Sequence, residues 1–250
     1  MPKEKQINLQ NFELECSTVW SFVSRGNWAT HNNEYRGNWS PQVVRNLLLR
    51  YSNEGEYLLD PMIGGGTTAI ECKLLNRNLL ALDINPNAIE LTKEALNFEC
   101  EYNPKIRIEL NDARLLKMLK DNSIDFILNH PPYADIINYS DKNIEEDLSN
   151  IHDIDLFCNE MGKVAKELYR VLKPNRYCAI LIGDTRRKKM YQPIAYKIMQ
   201  KILDVGFELK EDIIKHQHNC KTTDFWTKRS KDYNFLLIMH EHLFVFQKTR

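Results

Sequence analysis

Tyr57-Leu58-Leu59-Asp60-Pro61-Met62-Ile63-Gly64-Gly65-Gly66-Thr67-Thr68 is the stretch on which the fold turns. Tyr57 to Asp60 is an apolar run of strand length, Pro61 to Gly66 is a turn, and Ala69, Ile70, Cys72, Leu74 and Leu75 follow in a helical segment. Strand, glycine turn and helix in that order outline a nucleotide-type cofactor site. Glycine lets a ligand approach the backbone, and a helix N-terminus offers free N–H groups. The turn has neither the lysine of a phosphate-binding P-loop nor the G-x-G-x-x-G spacing of a dinucleotide turn, which counts against kinases and NAD enzymes.

Downstream, Leu79-Leu80-Ala81-Leu82-Asp83 predicts a second strand ending in a carboxylate, where an acid can accept from both ribose hydroxyls. A helix after Pro86 leads to a third strand, Ile106 to Leu110, and Asp112 at its end suits an adenine amino group. A helix is predicted over about 113–120. Next comes Ile124-Asp125-Phe126-Ile127-Leu128-Asn129-His130-Pro131-Pro132-Tyr133, a buried strand stopped by two prolines that forbid both helix and further ladder pairing. A fixed carbonyl, a side-chain acceptor and a flat ring are thereby brought together, a combination that holds a planar amine. Right-handed crossovers place all four strand ends on one edge of the sheet, so glycine turn and Pro-Pro platform meet.

Before the first strand, Arg25 to Pro41 mixes Trp, Arg, Gly and amide residues without periodicity and reads as an ordered loop, of the kind that lines sites. Ser40 as N-cap and Pro41 in the first turn open a helix of about 41–51. After the platform, residues 134–155 read as a substrate loop or lid. A helix near 157–172, a strand at 177–182, a helix near 193–204 and strands near 207–215 and 243–246 complete the pattern. Two basic stretches suit nucleic-acid contact: Arg186-Arg187-Lys188-Lys189 at a strand end, and a loop of 216–234 in which Lys221, Lys228 and Arg229 flank Phe225 and Trp226.

The 34 basic and 34 acidic side chains cancel, so any basic footprint is local. Six cysteines form no C-x-x-C pair and sit mostly in apolar segments, against a zinc site or a disulfide framework. His216, His218 and Cys220 alternate on one segment with no evident fourth ligand, and no metal is expected. No apolar run approaches the roughly 18 residues of a membrane span. The expectation is a cytoplasmic protein of one domain, residues 1–250, with 1–40 as an N-terminal extension and site-lining loop.

Asp60-Pro61-x-x-Gly64-x-Gly66-Thr67-Thr68, Asp83 and x-Pro131-Pro132-Tyr133 together resemble the S-adenosylmethionine-dependent DNA methyltransferases that modify adenine N6 or cytosine N4. The resemblance implies an α/β, Rossmann-like class I methyltransferase fold: a mostly parallel seven-stranded sheet with helices on both faces. It implies S-adenosyl-L-methionine as cofactor, with Asp60, Pro61, Met62, Gly64, Gly65, Gly66, Thr67 and Thr68 around the methionine part. Asp83 and Ile84 then lie at the ribose, Asp112 near the adenine, and Trp39-Ser40 in a further cofactor contact. The expected substrate is double-stranded DNA, and the expected partner a cognate restriction endonuclease or specificity protein. The target base would be flipped and stacked on Tyr133, its amino hydrogens accepted by residue 130 and the Pro131 carbonyl. Where the family carries Asp, Asn or Ser, this chain carries His130, which leaves adenine N6 and cytosine N4 both open. Only neutral imidazole accepts a hydrogen bond, and Asn129 is the alternative acceptor. An RNA amino-methyltransferase and a non-catalytic cofactor-binding DNA-recognition subunit are the competing readings.

Overall fold

The computed structural model describes residues 12–35, 37–134, 144–218 and 223–250. The chain opens with β1 (Val19–Ser21), α1 (Pro41–Tyr51), β2 (Tyr57–Asp60), α2 (Thr67–Leu74) and β3 (Asn78–Asp83). It continues through α3 (Pro86–Ala95), β4 (Ile106–Leu110), β5 (Ile124–Asn129), α4 (Ile154–Val171) and β6 (Leu172–Ile182). A hairpin of β7 (Thr185–Arg187) and β8 (Met190–Gln192) follows, then α5 (Ile194–Leu203), β9 (Glu208–His216), α6 (Thr223–Tyr233) and β10 (His240–Gln247).

One eight-stranded sheet has the order β1-β9-β10-β6-β5-β2-β3-β4. Only β10 runs antiparallel to its neighbours β6 and β9. Because β2, β3 and β5 are buried on both faces, they are near-continuous apolar runs rather than alternating ones. One face packs on α4 and α5 through Phe157, Val164, Leu168 and Ile198. The other packs on α1 and α2 through Val43, Val44, Leu47, Leu48 and Ala69. Burying each such Leu or Phe contributes about 1.5–3 kcal/mol, so neither layer is dispensable. Strand order reverses between β2 and β5, and open α/β sheets bind ligands outside the strand ends at such a reversal. The expected Rossmann-like arrangement is present.

Several expectations need correction. Eight strands replace seven, because Val19–Ser21 adds a parallel edge strand to β9 with Trp20 turned into the core. The helix expected at 113–120 is a series of turns. Its backbone is satisfied from outside: Asn111 donates to the Leu115 carbonyl, Arg170 to those of Leu116 and Leu119, and Glu167 accepts from the Leu116 amide. β6 starts at Leu172, ahead of Pro174, so α4 passes straight into a strand. Within the expected 216–234 loop, residues Thr223–Tyr233 form α6, which buries no residue. The basic run at 186–189 is a hairpin, with Lys188 and Lys189 at its positive-φ turn. No helix among the described residues is long and apolar enough to cross a membrane.

Candidate active site

At the C-terminal end of β2 the chain turns sharply, and Gly64 (φ 55°) and Gly66 (φ 85°) occupy the left-handed region there. Gly65 is needed for space instead: a Cβ would lie 2.6 Å from the Asn38 side chain and 2.7 Å from Tyr35 Cβ. The Gly64 amide donates to Asp83 Oδ2 (2.9 Å), and the Gly65 amide to Asn38 Oδ1 (3.1 Å). Asp60 is fully buried and accepts from the Met62 amide (3.1 Å). Burial pushes its carboxyl up to about 7, against the opposing pull of the Thr68 hydroxyl and the Met62 amide. Asp83 is likewise raised by burial, to about 6, although the Asn85 and Gly64 amides favour its charged form.

These strand ends open into a cavity of about 700 Å³, its open mouth included. Pro61, Met62, Gly64, Asp83, Ile84, Asp112 and Trp39 line one side as expected, and His130 and Pro132 reach the same space. Arg114 holds the Asp112 carboxylate with both Nε (3.0 Å) and Nη2 (2.7 Å), so the acid is fixed before any ligand arrives. Asp60, Gly65, Gly66, Thr67, Thr68 and Ser40 stand behind the wall rather than in it. Tyr35, Asn38, Asn111, Ala113 and Leu148 line the cavity without having been singled out in the sequence. For Asn38 the signal was present in the aperiodic loop before Pro41, whereas Leu148 depends on the fold of a long connection.

The loop carrying Tyr35, Asn38 and Trp39 is anchored by a buried cluster. Glu71 of α2, wholly enclosed, accepts from Trp28 Nε1 (2.6 Å), lies 2.8 Å from His31 Nε2 and pairs with Arg45 Nη1 (2.9 Å). Trp39 packs edge-on against the His130 ring, with centroids 5.3 Å apart, and its indole N–H has no partner among the described residues.

The Pro-Pro wall is held from the far end of the chain. His130 Nε2 is 2.8 Å from Tyr133 Oη, Tyr133 Oη donates to Glu241 Oε1 (2.6 Å), and Lys215 Nζ donates to Glu241 Oε2 (2.7 Å). The Tyr133 ring lies on Gly183, where a Cβ would come within 2.6 Å of it. Neither Tyr133 nor Pro131 lines the cavity. Burial pushes His130 down to about 4, so the ring is neutral near pH 7. Asn129 is fully buried on the α4 face, because strand alternation turns it away from His130, and it does not reach the cavity.

Beyond β6 a second cleft, about 1110 Å³ with its mouth, lies between the β7–β8 hairpin and α6 and is lined by Asp184, Arg186, Lys189, Trp226 and Phe235. Lys188, Lys228 and Arg229 are exposed around it. Arg186 and Arg187 are already engaged: Arg186 donates to the Leu236 carbonyl (3.1 Å) and Arg187 to that of His152. Lys221 and Cys220 lie outside the described residues. Among the described residues no group of three His, Cys, Asp or Glu is placed to hold a metal ion.

Comparison with known proteins agrees with this fold. The chain is 35% identical over 117 residues to the type II methyltransferase M.HpaI of Haemophilus parainfluenzae, covering 46% of this chain and 36% of that one. Against the type II methyltransferase M.MjaII of Methanocaldococcus jannaschii it is 24% identical over 228 residues, 90% of this chain and 36% of that one. The chain thus spans about a third of the length of these two curated relatives. A SAM-dependent methyltransferase structure from Methanosarcina mazei superposes with a TM-score of 0.57 at 16% identity, covering 81% of this chain and 96% of that one, which shows a shared fold. A family model for DNA methylases matches residues 1–94 and 124–250, well over half of the sequence, and the chain belongs to that N6/N4 DNA methylase family.

Proposed function

We propose that this protein transfers the methyl group of S-adenosylmethionine to an exocyclic amino group, cytosine N4 or adenine N6, of a base flipped out of double-stranded DNA. The observation that carries this reading is the single cavity in which the glycine turn and its acids face His130 and Pro132. The residues present fit such a cofactor: Asp83 and Asp112 are carboxylates for hydroxyl and amino groups, Ile84 and Ala113 are apolar neighbours for a purine, and the Trp39 indole N–H has no partner among the described residues. When bound, the cofactor supplies a methyl group already activated on a sulfonium. The protein's part is to align the acceptor. His130 accepts an amino hydrogen and helps aim the nitrogen lone pair at the methyl group, which converts transfer into a problem of proximity, whereas the Pro131 carbonyl, the second acceptor expected from the sequence, does not line the cavity.

Lys188, Lys228 and Arg229, with Trp226 and Phe235 between them, form the DNA side in this reading, through phosphate contact and stacking. In this reading the reaction belongs to restriction-modification in the cytoplasm, with a cognate endonuclease as partner; the type II methyltransferases among the relatives support it. The test is incubation with methyl-labelled cofactor and either unmodified duplex DNA or RNA, followed by digestion to nucleosides. Labelled N4-methyldeoxycytidine or N6-methyldeoxyadenosine is expected. Label confined to RNA replaces the substrate, and cofactor binding without any label makes the chain a recognition subunit.

A further inference from the structure

We infer that Glu241 is a positioning residue for the target amine: acting through Tyr133, it fixes the His130 proton on Nε2 and leaves Nδ1 as the acceptor for an amino hydrogen. This rests on the reading of His130 as the residue that meets the amine. The argument is one of donors and acceptors along three short contacts.

Lys215 Nζ, 2.7 Å from Glu241 Oε2, is an ammonium and only donates. Burial by itself would raise the Glu241 carboxyl, but the Lys215 ammonium and the bonds from Lys215 and Tyr133 hold it below the usual carboxylate range. Glu241 is therefore a carboxylate, which only accepts, and the single proton of Tyr133 Oη must point at Glu241 Oε1 across 2.6 Å. With that proton committed, Tyr133 Oη has only lone pairs to offer His130. A contact of 2.8 Å to His130 Nε2 then requires the proton to sit on Nε2. Reversing the hydroxyl would leave two oxygens 2.6 Å apart with no proton between them.

A neutral imidazole protonated on Nε2 has its one lone pair on Nδ1. His130 lines the cavity, and the hydrogen bond of its ring among the described residues is made by Nε2, not by Nδ1. The groups that face the ring are Glu241 and Lys215 from the strands behind it, Arg25 from the loop above it, and Trp39 and Tyr133 at its edges. Burial, the largest influence, opposes charge on the ring; Glu241 favours the charged form, and Lys215 and Arg25 oppose it. The relay thus answers a problem specific to imidazole. A carboxylate or amide always offers an oxygen, whereas a histidine offers an acceptor on one nitrogen only, and on the wrong one unless its tautomer is set.

The test has two parts on the full chain. The first records ¹H–¹⁵N correlations of ring-labelled histidines at pH 7 for the wild type, Glu241→Gln and Tyr133→Phe, with His130→Asn to assign the resonance among seven histidines. A single Nε2–H form in the wild type and a mixture in both variants is expected. An Nδ1–H form in the wild type, or one unchanged form in all three, overturns the inference. Tyr133→Phe keeps the Glu241–Lys215 pair intact, so a folding defect in Glu241→Gln does not remove the test. The second part measures methyl transfer to unmodified DNA. Glu241→Gln should lower kcat about tenfold to a hundredfold with KM for the cofactor unchanged, and should have little further effect in a His130→Asn background. An equal loss in both backgrounds overturns the role through His130. If the wild type methylates no nucleic acid, the proposed function fails, while the tautomer measurement still decides this inference.

Discussion

The two walls of the cavity are built on opposite plans. On the glycine-turn side each acid ends its own strand and is tied to backbone close by: Asp60 to the amide of Met62, Asp83 to those of Asn85 and Gly64. On the Pro-Pro side the wall is assembled from afar, with Tyr133 bonded to Glu241, 108 residues along the chain. Local ties preorganise the first wall whenever β2 and β3 pair. The second exists only after β10 has inserted between β6 and β9. The glycine-turn wall, proposed to hold the cofactor, therefore rests on short-range ties, while the Pro-Pro wall, proposed to aim the substrate atom, depends on completed packing.

The largest effect should come from the anchor that serves both walls. Glu71→Ala leaves Arg45 buried without its carboxylate and unhooks the loop bearing Asn38 and Trp39, at a cost of about 3–5 kcal/mol in chemical denaturation. Loss confined to one wall's function would show that the loop is held by other contacts. Next, His130→Ala should lower kcat about a hundredfold while cofactor affinity stays within about twofold. In the wild type His130 should contribute no acid limb near pH 6.5, because the ring stays neutral until about pH 4. A limb at 6.5 that His130→Asn abolishes would mean that the ring is wetter than its packing indicates.

Asp60→Asn addresses the other wall. Folded Asp60 holds its proton to about pH 7, against 3.8 for the ordinary carboxyl, so the folded state binds more protons across that window. Asp60's own contribution to stability is fully present below pH 4 and is lost as pH rises through about 7, by the linkage sign for a raised acid. The asparagine variant should remove that slope and be more stable than the wild type by about 2 kcal/mol at pH 8, measured by urea unfolding without cofactor. An unchanged slope would place the titration elsewhere. The smallest effect belongs to the exposed rim: Lys228→Ala should weaken DNA binding by under about 1 kcal/mol and reduce the salt dependence by about one counterion. Unchanged binding would confine contact to the hairpin side of the second cleft.

Much of the first wall was legible in the sequence because its information is local. An apolar run ending in Asp83, or in the paired prolines, states both the strand and where it stops. The same local logic failed at residues 113–120, where Leu115, Leu116 and Leu119 have helical spacing. Side chains of Asn111, Glu167 and Arg170 satisfy that backbone instead, and no local pattern announces a partner from another element. Val19–Ser21 escaped notice for a related reason, since a three-residue edge strand has too little length to show a period.

By itself the sequence determined the α/β class, the succession of the first four parallel strands along the chain and the meeting of the glycine turn with the Pro-Pro platform on one edge. These follow from hydrophobic period, from residues that forbid continuation, and from the handedness of crossovers. Only the tertiary structure decided which of those residues face the cavity, that Asn129 does not, that Glu71 staples the loop over it, and that Glu241 and Lys215 stand behind His130. Those outcomes depend on side chains meeting across long separations, where the direction of one hydroxyl proton is set by a charge from another strand. Periodicity constrains neighbours in sequence, and a hydrogen-bond relay is a property of neighbours in space.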